Sequence, residues 1–523
     1  MRSKWFLIPA VLFAVACASR ALPEESRAQE AEIFPDYKEV TIPPNIAPLN
    51  FTVAGEGPWR LVLEGKGVAF GVKARHGLFR IPAGKWRSLL SASRGEALRL
   101  TVCRQENGKW TALTPFRMYV ASDPVDSHIA YRLIAPGYGL WNEMGIYQRD
   151  LESYRQKPVY ENRLTSYNCV NCHSFQMQDP GRMVFHMRAN YGGTVLCDGD
   201  RYEKLNTKTP ETISALVYPY WHPQEDLIAF SVNKTLQSFH AHDADRIEVY
   251  DGASDVVVYD IRSHAVFSDP LLMQKSAFET FPTFSPDGKS LYFCSAPAVD
   301  PMPERYKDVH YNLCRIGFDP ETKTFTGPVD TLFHAADTAS ASFPRISPDG
   351  RQLVFTKHAF GNFSIWHRDA DLYRVDLTDG TVSAMTAANS DNVESYHSWS
   401  HDSRWMVFSS RRIDGLYTRL YIMHIDGQGK VSKPFLLPQK DPKRFYESLM
   451  FSYNIPEFIT GAVTFDRHRI ASMMRNEPGN DLSFHKKTGV VHAPVPNDCF
   501  YRISGGIPAT LSRSFRRLRT LPE

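Results

Sequence analysis

The sequence predicts an all-β protein in which an N-terminal β-sandwich and a short helical connector precede a six-bladed β-propeller. Three observations carry that class. The composition is rich in turns and rings, with 31 Gly, 35 Pro and 12% aromatic residues against 22% charged. A motif of aromatic-Pro-x-x-x-Pro type recurs between residues 218 and 401. Each copy runs into short apolar stretches with strand rather than helix character. The 523 residues exceed what one core serves, so several domains are expected.

Residues 1–17 read as a bacterial export signal, with Arg2 and Lys4 ahead of the apolar run Trp5 to Val15. That run is about 11 residues, too short for a bilayer, which takes about 20. Ala14-Val15-Ala16-Cys17 resembles the lipobox of bacterial lipoproteins, with Ala14 where Leu is usual. Cys17 would then carry a lipid; ordinary cleavage near Ala16 to Ala18 is the alternative. The expected location is the envelope of a Gram-negative bacterium, periplasmic or as an outer-membrane lipoprotein, with the membrane reached through the N-terminal anchor. Residues 18–36 are polar and suit a flexible leash.

Residues 37–122 hold short alternating runs such as Trp59 to Glu64 and Leu98 to Cys103, split by Gly and Asn turns, which predicts the sandwich. Residues 123–167 differ. Ile146, Leu151 and Tyr154 stand near helical spacing, so a helix over Met144 to Gln156 is expected to deliver the next segment. Residues 168–465 form the propeller. Residues 466–523 are a C-terminal extension without blade pattern, ending in Arg513, Arg516, Arg517 and Arg519, a solvated tail or an envelope contact.

The segment Asn168-Cys169-Val170-Asn171-Cys172-His173 contains C-x-x-C-H, the attachment sequence of c-type haem. Cys169 and Cys172 would form thioethers with the two vinyl groups, and His173 would bind iron as the proximal ligand. One covalent haem c is therefore the expected cofactor. A Cys169–Cys172 disulfide, a zinc half-site and two buried thiols compete with it. His186 and Met183 are the leading distal ligands, with Met177 closer in sequence, although a Met on a strand is more often core packing. Arg163, Arg182 and Arg188 could pair with haem propionates, against the plainer reading of solvated arginines.

The repeat aligns Tyr218-Pro219-Tyr220-Trp221-His222-Pro223, Phe281-Pro282-Thr283-Phe284-Ser285-Pro286, Phe343-Pro344-Arg345-Ile346-Ser347-Pro348 and Tyr396-His397-Ser398-Trp399-Ser400-His401. Strands such as Leu291 to Cys294 and Leu353 to Thr356 follow, with Pro286-Asp287-Gly288 and Pro348-Asp349-Gly350 as the tight turns between them. A third strand follows in each unit, and the last anchor positions stand 63, 62 and 53 residues apart. That spacing fits four-stranded sheets in a ring, which leaves few free edges. Met183 to Cys197 and Phe445 to Phe465 supply the two further units needed for six blades. Tyr218, Phe281, Phe343 and Tyr396 read as blade packing.

The runs Phe284 to Phe293 and Ile346 to Phe355 resemble the propeller repeat of the TolB-like family, over about residues 210–440. Asn45 to Phe51, Asn168 to Phe175 and Ser452 to Phe458 are similar to a group of Bacteroidetes envelope proteins that join such a propeller to C-x-x-C-H, often called cytochrome c biosynthesis proteins. The resemblance implies an envelope protein or redox partner. No tryptophan-rich membrane segment accompanies it, which disfavours a haem lyase.

Lys plus Arg number 60 and Asp plus Glu 57, so the net charge of +3 carries no footprint for nucleic acid. Neither G-x-S-x-G nor H-E-x-x-H occurs. The leading expectation is a mono-haem cytochrome-like propeller for electron transfer or partner docking. A non-redox binding propeller, with the motif as a structural haem or disulfide site, is the alternative. A classical enzyme ranks below both.

Overall fold

The structure is a computed structural model and describes residues 23, 25–136, 143–240, 243 and 245–485. Cys17, Cys499 and the arginine tail lie outside the described residues. Among the described residues no helix is long and apolar enough to cross a membrane.

The N-terminal region holds a seven-stranded sheet built around Ala97–Glu106 and a three-stranded sheet of Ile33–Phe34, Phe51–Val53 and Leu78–Phe79. Helix α1 (Ala83–Ala92) buries Trp86, Leu89 and Leu90 against them, and Trp86 Nε1 donates to the Ile46 carbonyl at 3.0 Å. The leash expected over 18–36 is corrected in part. Glu25–Glu30 is an edge strand paired in parallel with Lys109–Thr114. All six of its residues are exposed and Arg27 and Glu25 make only surface ion pairs, so no apolar alternation announced it.

Six further sheets share one plan, a core of four antiparallel strands that follow sequence order in every sheet but I. Sheet II starts with Val170–Phe175, III with Leu216–Trp221, IV with Ala277–Phe284, V with Ser340–Ile346 and VI with Glu394–Trp399. Sheet I takes its first strand, Ser452–Ile459, from the far end of the chain and the other three from His128–Ile134, Met144–Asp150 and Gln156–Glu161. The six first strands touch one another in cyclic order, II through VI, then I, and back to II. The fold is thus β-rich and propeller-like. Closing sheet I with strands from both ends ties the ring shut, which removes two edges at once.

The helix expected over Met144 to Gln156 is a second correction, for this stretch is the middle of sheet I. Its helical spacing misled because both faces of the strand are buried, Gln148 at 6% and Arg149 at 2% exposure. Gln148 exchanges two hydrogen bonds with the Val463 backbone, and Arg149 donates to Gln439 Oε1 and the Pro438 carbonyl. Buried polar partners thus replace the apolar alternation that marks a strand. The repeated sheets therefore begin at His128 rather than at 168. Beyond 466, helix α2 (Arg467–Asn476) buries Ile470, Met473 and Met474 on sheet II, and Asn480–Asp481 and Ser483–Phe484 add parallel edges to sheets II and III.

The turns after the first strands are built alike. In sheets IV, V and VI a serine hydroxyl, from Ser285, Ser347 or Ser400, donates to the Asp two residues on. The same oxygen accepts the backbone N–H five residues on, at 2.9–3.0 Å. Gly288 and Gly350 sit at φ +72° and +74° in two of these turns, where a Cβ would strain the backbone.

Candidate functional site

Each of the six first strands carries an irregularity at one equivalent residue: Cys172, Tyr218, Phe281, Phe343, Tyr396 and Ile455. All six have φ between 49° and 55°, a left-handed conformation that L-residues reach only at a cost. This bulge turns the side chain inward. Together they line one central channel. Phe281 and Phe343 stand 4.0 Å apart between ring centroids, with Tyr218 and Tyr396 at 4.7 and 4.8 Å from their neighbours. These rings, expected as blade packing, thus form the channel wall as well.

The C-x-x-C-H segment is one copy of that wall. Cys172-His173-Ser174-Phe175 occupies the place of Tyr218-Pro219-Tyr220-Trp221, so His173 stands where four of the six copies carry Pro. Haem attachment needs both thiols and the imidazole turned toward one roomy cavity. Cys172 and His173 line the channel, but Cys169 does not; it packs in the core with Val170, Met183 and Phe185. The channel cavity is about 80 Å³, whereas sites for small organic ligands span about 300–1,000 Å³. As placed, these residues do not fit a haem. The six described cysteines are unbonded, buried thiols, including Cys169, Cys172 and the neighbouring Cys294 and Cys314.

Burial controls the electrostatics of the wall. It lowers the pKa of His173 to about 3, with Arg132 acting the same way and the Ile455 backbone opposing. His173 is therefore neutral at pH 7, and neither ring nitrogen makes a well-formed hydrogen bond. Its Nε2 lies 3.6 Å from Glu457 Oε1, beyond hydrogen-bond length. Burial raises the Glu457 carboxyl to about 8, against the Phe175 N–H, which donates to Oε2 at 3.2 Å, and against Arg345. His397, the other His in a Pro position, is also held neutral by burial, at about 3. Unlike His173 it is anchored, with Nε2–H donating to the Val354 carbonyl at 2.8 Å.

The other expected ligands are dispersed. Met183 is fully buried between sheets I and II, and His186 points to the opposite face, with Nδ1 3.0 Å from Thr194 Oγ1. Neither lines the channel, so neither stands over His173. Met177 is at the channel lining and 39% exposed. Arg163 pairs with Glu161 at 2.9 Å on the surface. Arg182 pairs with Asp198 and Asp226 and covers Trp221. Arg188 is exposed, and its backbone N–H donates to the Cys169 carbonyl at 3.0 Å. Of the expected site residues Cys172, His173 and Met177 share the channel. Arg345 and Glu457, which the motif did not indicate, share it with them. The signal for both was a looser repeat: Pro or His followed two residues later by an aromatic or Ile, seen also in Ile455-Pro456-Glu457-Phe458.

No family model and no curated protein matches the chain. Solved structures match at low identity. One from an analysis of two prolyl endopeptidases is 14% identical with a TM-score of 0.33, covering 59% of this chain and 42% of that one. Oligogalacturonate lyase in complex with manganese is 12% identical with a TM-score of 0.31, over 59% of this chain and 85% of that one. Hydrazine synthase of Kuenenia stuttgartiensis is 13% identical with a TM-score of 0.29, over 49% and 64%. The chain thus spans less than two thirds of the first and third of these, and at such TM-scores the likeness carries no functional argument.

Proposed function

We propose that this is a non-redox, TolB-like binding protein, exported and tethered to the cell envelope at Cys17, whose six-bladed propeller receives a ligand or partner segment in its central channel. The N-terminal sheets are read as a sandwich bracing the ring. Support for six blades is the cyclic succession of six first strands. Support for the sandwich is the core shared by both N-terminal sheets and helix α1, which runs on into Trp405 and Ile422 of sheet VI. The observation that carries the binding reading is register. Cys172 and His173 fall on channel-wall positions that the other sheets fill with an aromatic residue or Ile and with Pro or His, so a repeat explains them without a cofactor.

The cytochrome reading keeps one specific observation, the C-x-x-C-H spacing in a chain that carries an export pattern. One experiment separates the two. The protein is exported from a host competent in haem c maturation, beside a Cys169→Ala, Cys172→Ala variant, and both are examined by pyridine haemochrome spectrum and intact mass. The binding reading expects no covalent haem in either. Haem in the parent that is lost in the variant would overturn it and establish a mono-haem protein.

A further inference from the structure

We propose that the channel binds a small monocarboxylate carrying an apolar group, with Arg345 as its ion-pairing residue. The inference rests on the channel-binding reading and names the ligand class of that site. Arg345 lines the cavity, and its only hydrogen bond from the guanidinium runs to the adjacent Pro344 carbonyl, at 2.8 Å. Among the described residues it has no ion-pair partner within 4.0 Å, and its guanidinium lies 5.1 Å from the centre of the Tyr220 ring. The Arg345 guanidinium is only half-buried, no carboxylate lies within ion-pair distance of it, and a planar anion would satisfy its fork.

The rest of the wall agrees in sign. Glu457, the carboxyl facing this cavity, is neutral at pH 7, and so are His173 and His397. Arg345 is then the single full charge in the lining, which balances one negative charge and leaves a dianion uncompensated. Glu457 Oε1 and both His173 nitrogens lack hydrogen-bond partners in this wall, so it is short of polar partners as well as of an anion. The cavity of about 80 Å³ restricts the bound group to a few heavy atoms, and Trp221 and Trp399 in the lining suit an apolar remainder.

Titration calorimetry on the full chain at pH 7 tests this with butyrate, butyramide and butylammonium, which share a shape and differ in charge. Butyrate is expected to bind in preference to both, and Arg345→Met to weaken it by about tenfold or more. Arg345→Lys, which keeps the charge but not the fork, guards against a folding defect and is expected to fall between. Glu457 faces His173, Arg345 and the Phe175 N–H, and its ionisation above pH 8 would repel the anion. Butyrate affinity should therefore drop between pH 7 and 9, and Glu457→Gln should remove the drop. Equal or tighter binding of butyramide or butylammonium would overturn the carboxylate while leaving a binding channel. Binding of none of the three to folded protein would also overturn it. Covalent haem on Cys172 would instead remove the reading beneath.

Discussion

His173 and His397 stand at the same position in two copies of one repeat, yet the protein uses them differently. His397 Nε2–H is tied to the Val354 carbonyl of the adjacent sheet, so its imidazole closes a seam between blades. His173 has no such tie and faces Glu457 across 3.6 Å. The first is an anchor. The second is a neutral, unpaired group in a channel wall, and the contrast shows that a His next to a Cys pair takes its role from the copy it sits in.

Deleting the two rings should separate them most clearly. His397→Ala leaves a buried carbonyl unpaired and opens a cavity, a loss of about 2–4 kcal/mol. His173→Ala removes a ring whose nitrogens make no well-formed hydrogen bond, and should cost less than His397→Ala by about the 1–3 kcal/mol of an unpaired buried carbonyl. Denaturant titration of both variants checks the order, and equal losses would erase the contrast.

Acid should act on the three buried histidines His173, His186 and His397 alike and on Glu457 in reverse. His173, His186 and His397 are held near 3 in the folded state, while an unfolded His titrates near 6.5. The unfolded chain therefore binds more protons between these values, and stability falls as pH drops from about 6.5 towards 3. Glu457 is raised to about 8, so the unfolded chain binds fewer protons between about 4.5 and 8, and its contribution is lost as pH rises through that window. Glu457→Gln should flatten the upper slope, and His173→Ala the lower. Unfolding midpoints from pH 4 to 9 read both slopes.

The arginines expected near a haem give the smallest effects, and they differ by burial. Arg182 is 19% exposed and bridges Asp198 and Asp226, so Arg182→Ala should cost about 1–2 kcal/mol. Arg163→Ala should leave stability and spectrum within measurement error, since its pair with Glu161 is at the surface. A spectral change from Arg163→Ala would place a cofactor nearby.

The repeat was legible because turn chemistry is local. Ser285, Asp287 and Gly288 make the turn their order implies. Two of the six channel copies escaped because Cys172 in one and Ile455 in the other replace the aromatic ring that opens the remaining four. Sheet I was hidden for a different reason. Its middle strand buries Gln148 and Arg149 through partners about 300 residues away, which no local window contains. The site was legible only in part: C-x-x-C-H marked Cys172 and His173, but the spacing could not show that Cys169 turns into the core. Arg345 and Glu457 meet in the channel only once the ring closes.

The most direct test of Cys172-His173 as a wall copy is the thermal unfolding of His173→Pro. Four equivalent positions already carry Pro, so the backbone there should accept it, and Pro restricts the unfolded chain. The variant should unfold cooperatively with a midpoint within a few degrees of the parent. Failure to fold, or loss of a haem spectrum that the parent displays, would contradict the account and return His173 to the role of an iron ligand.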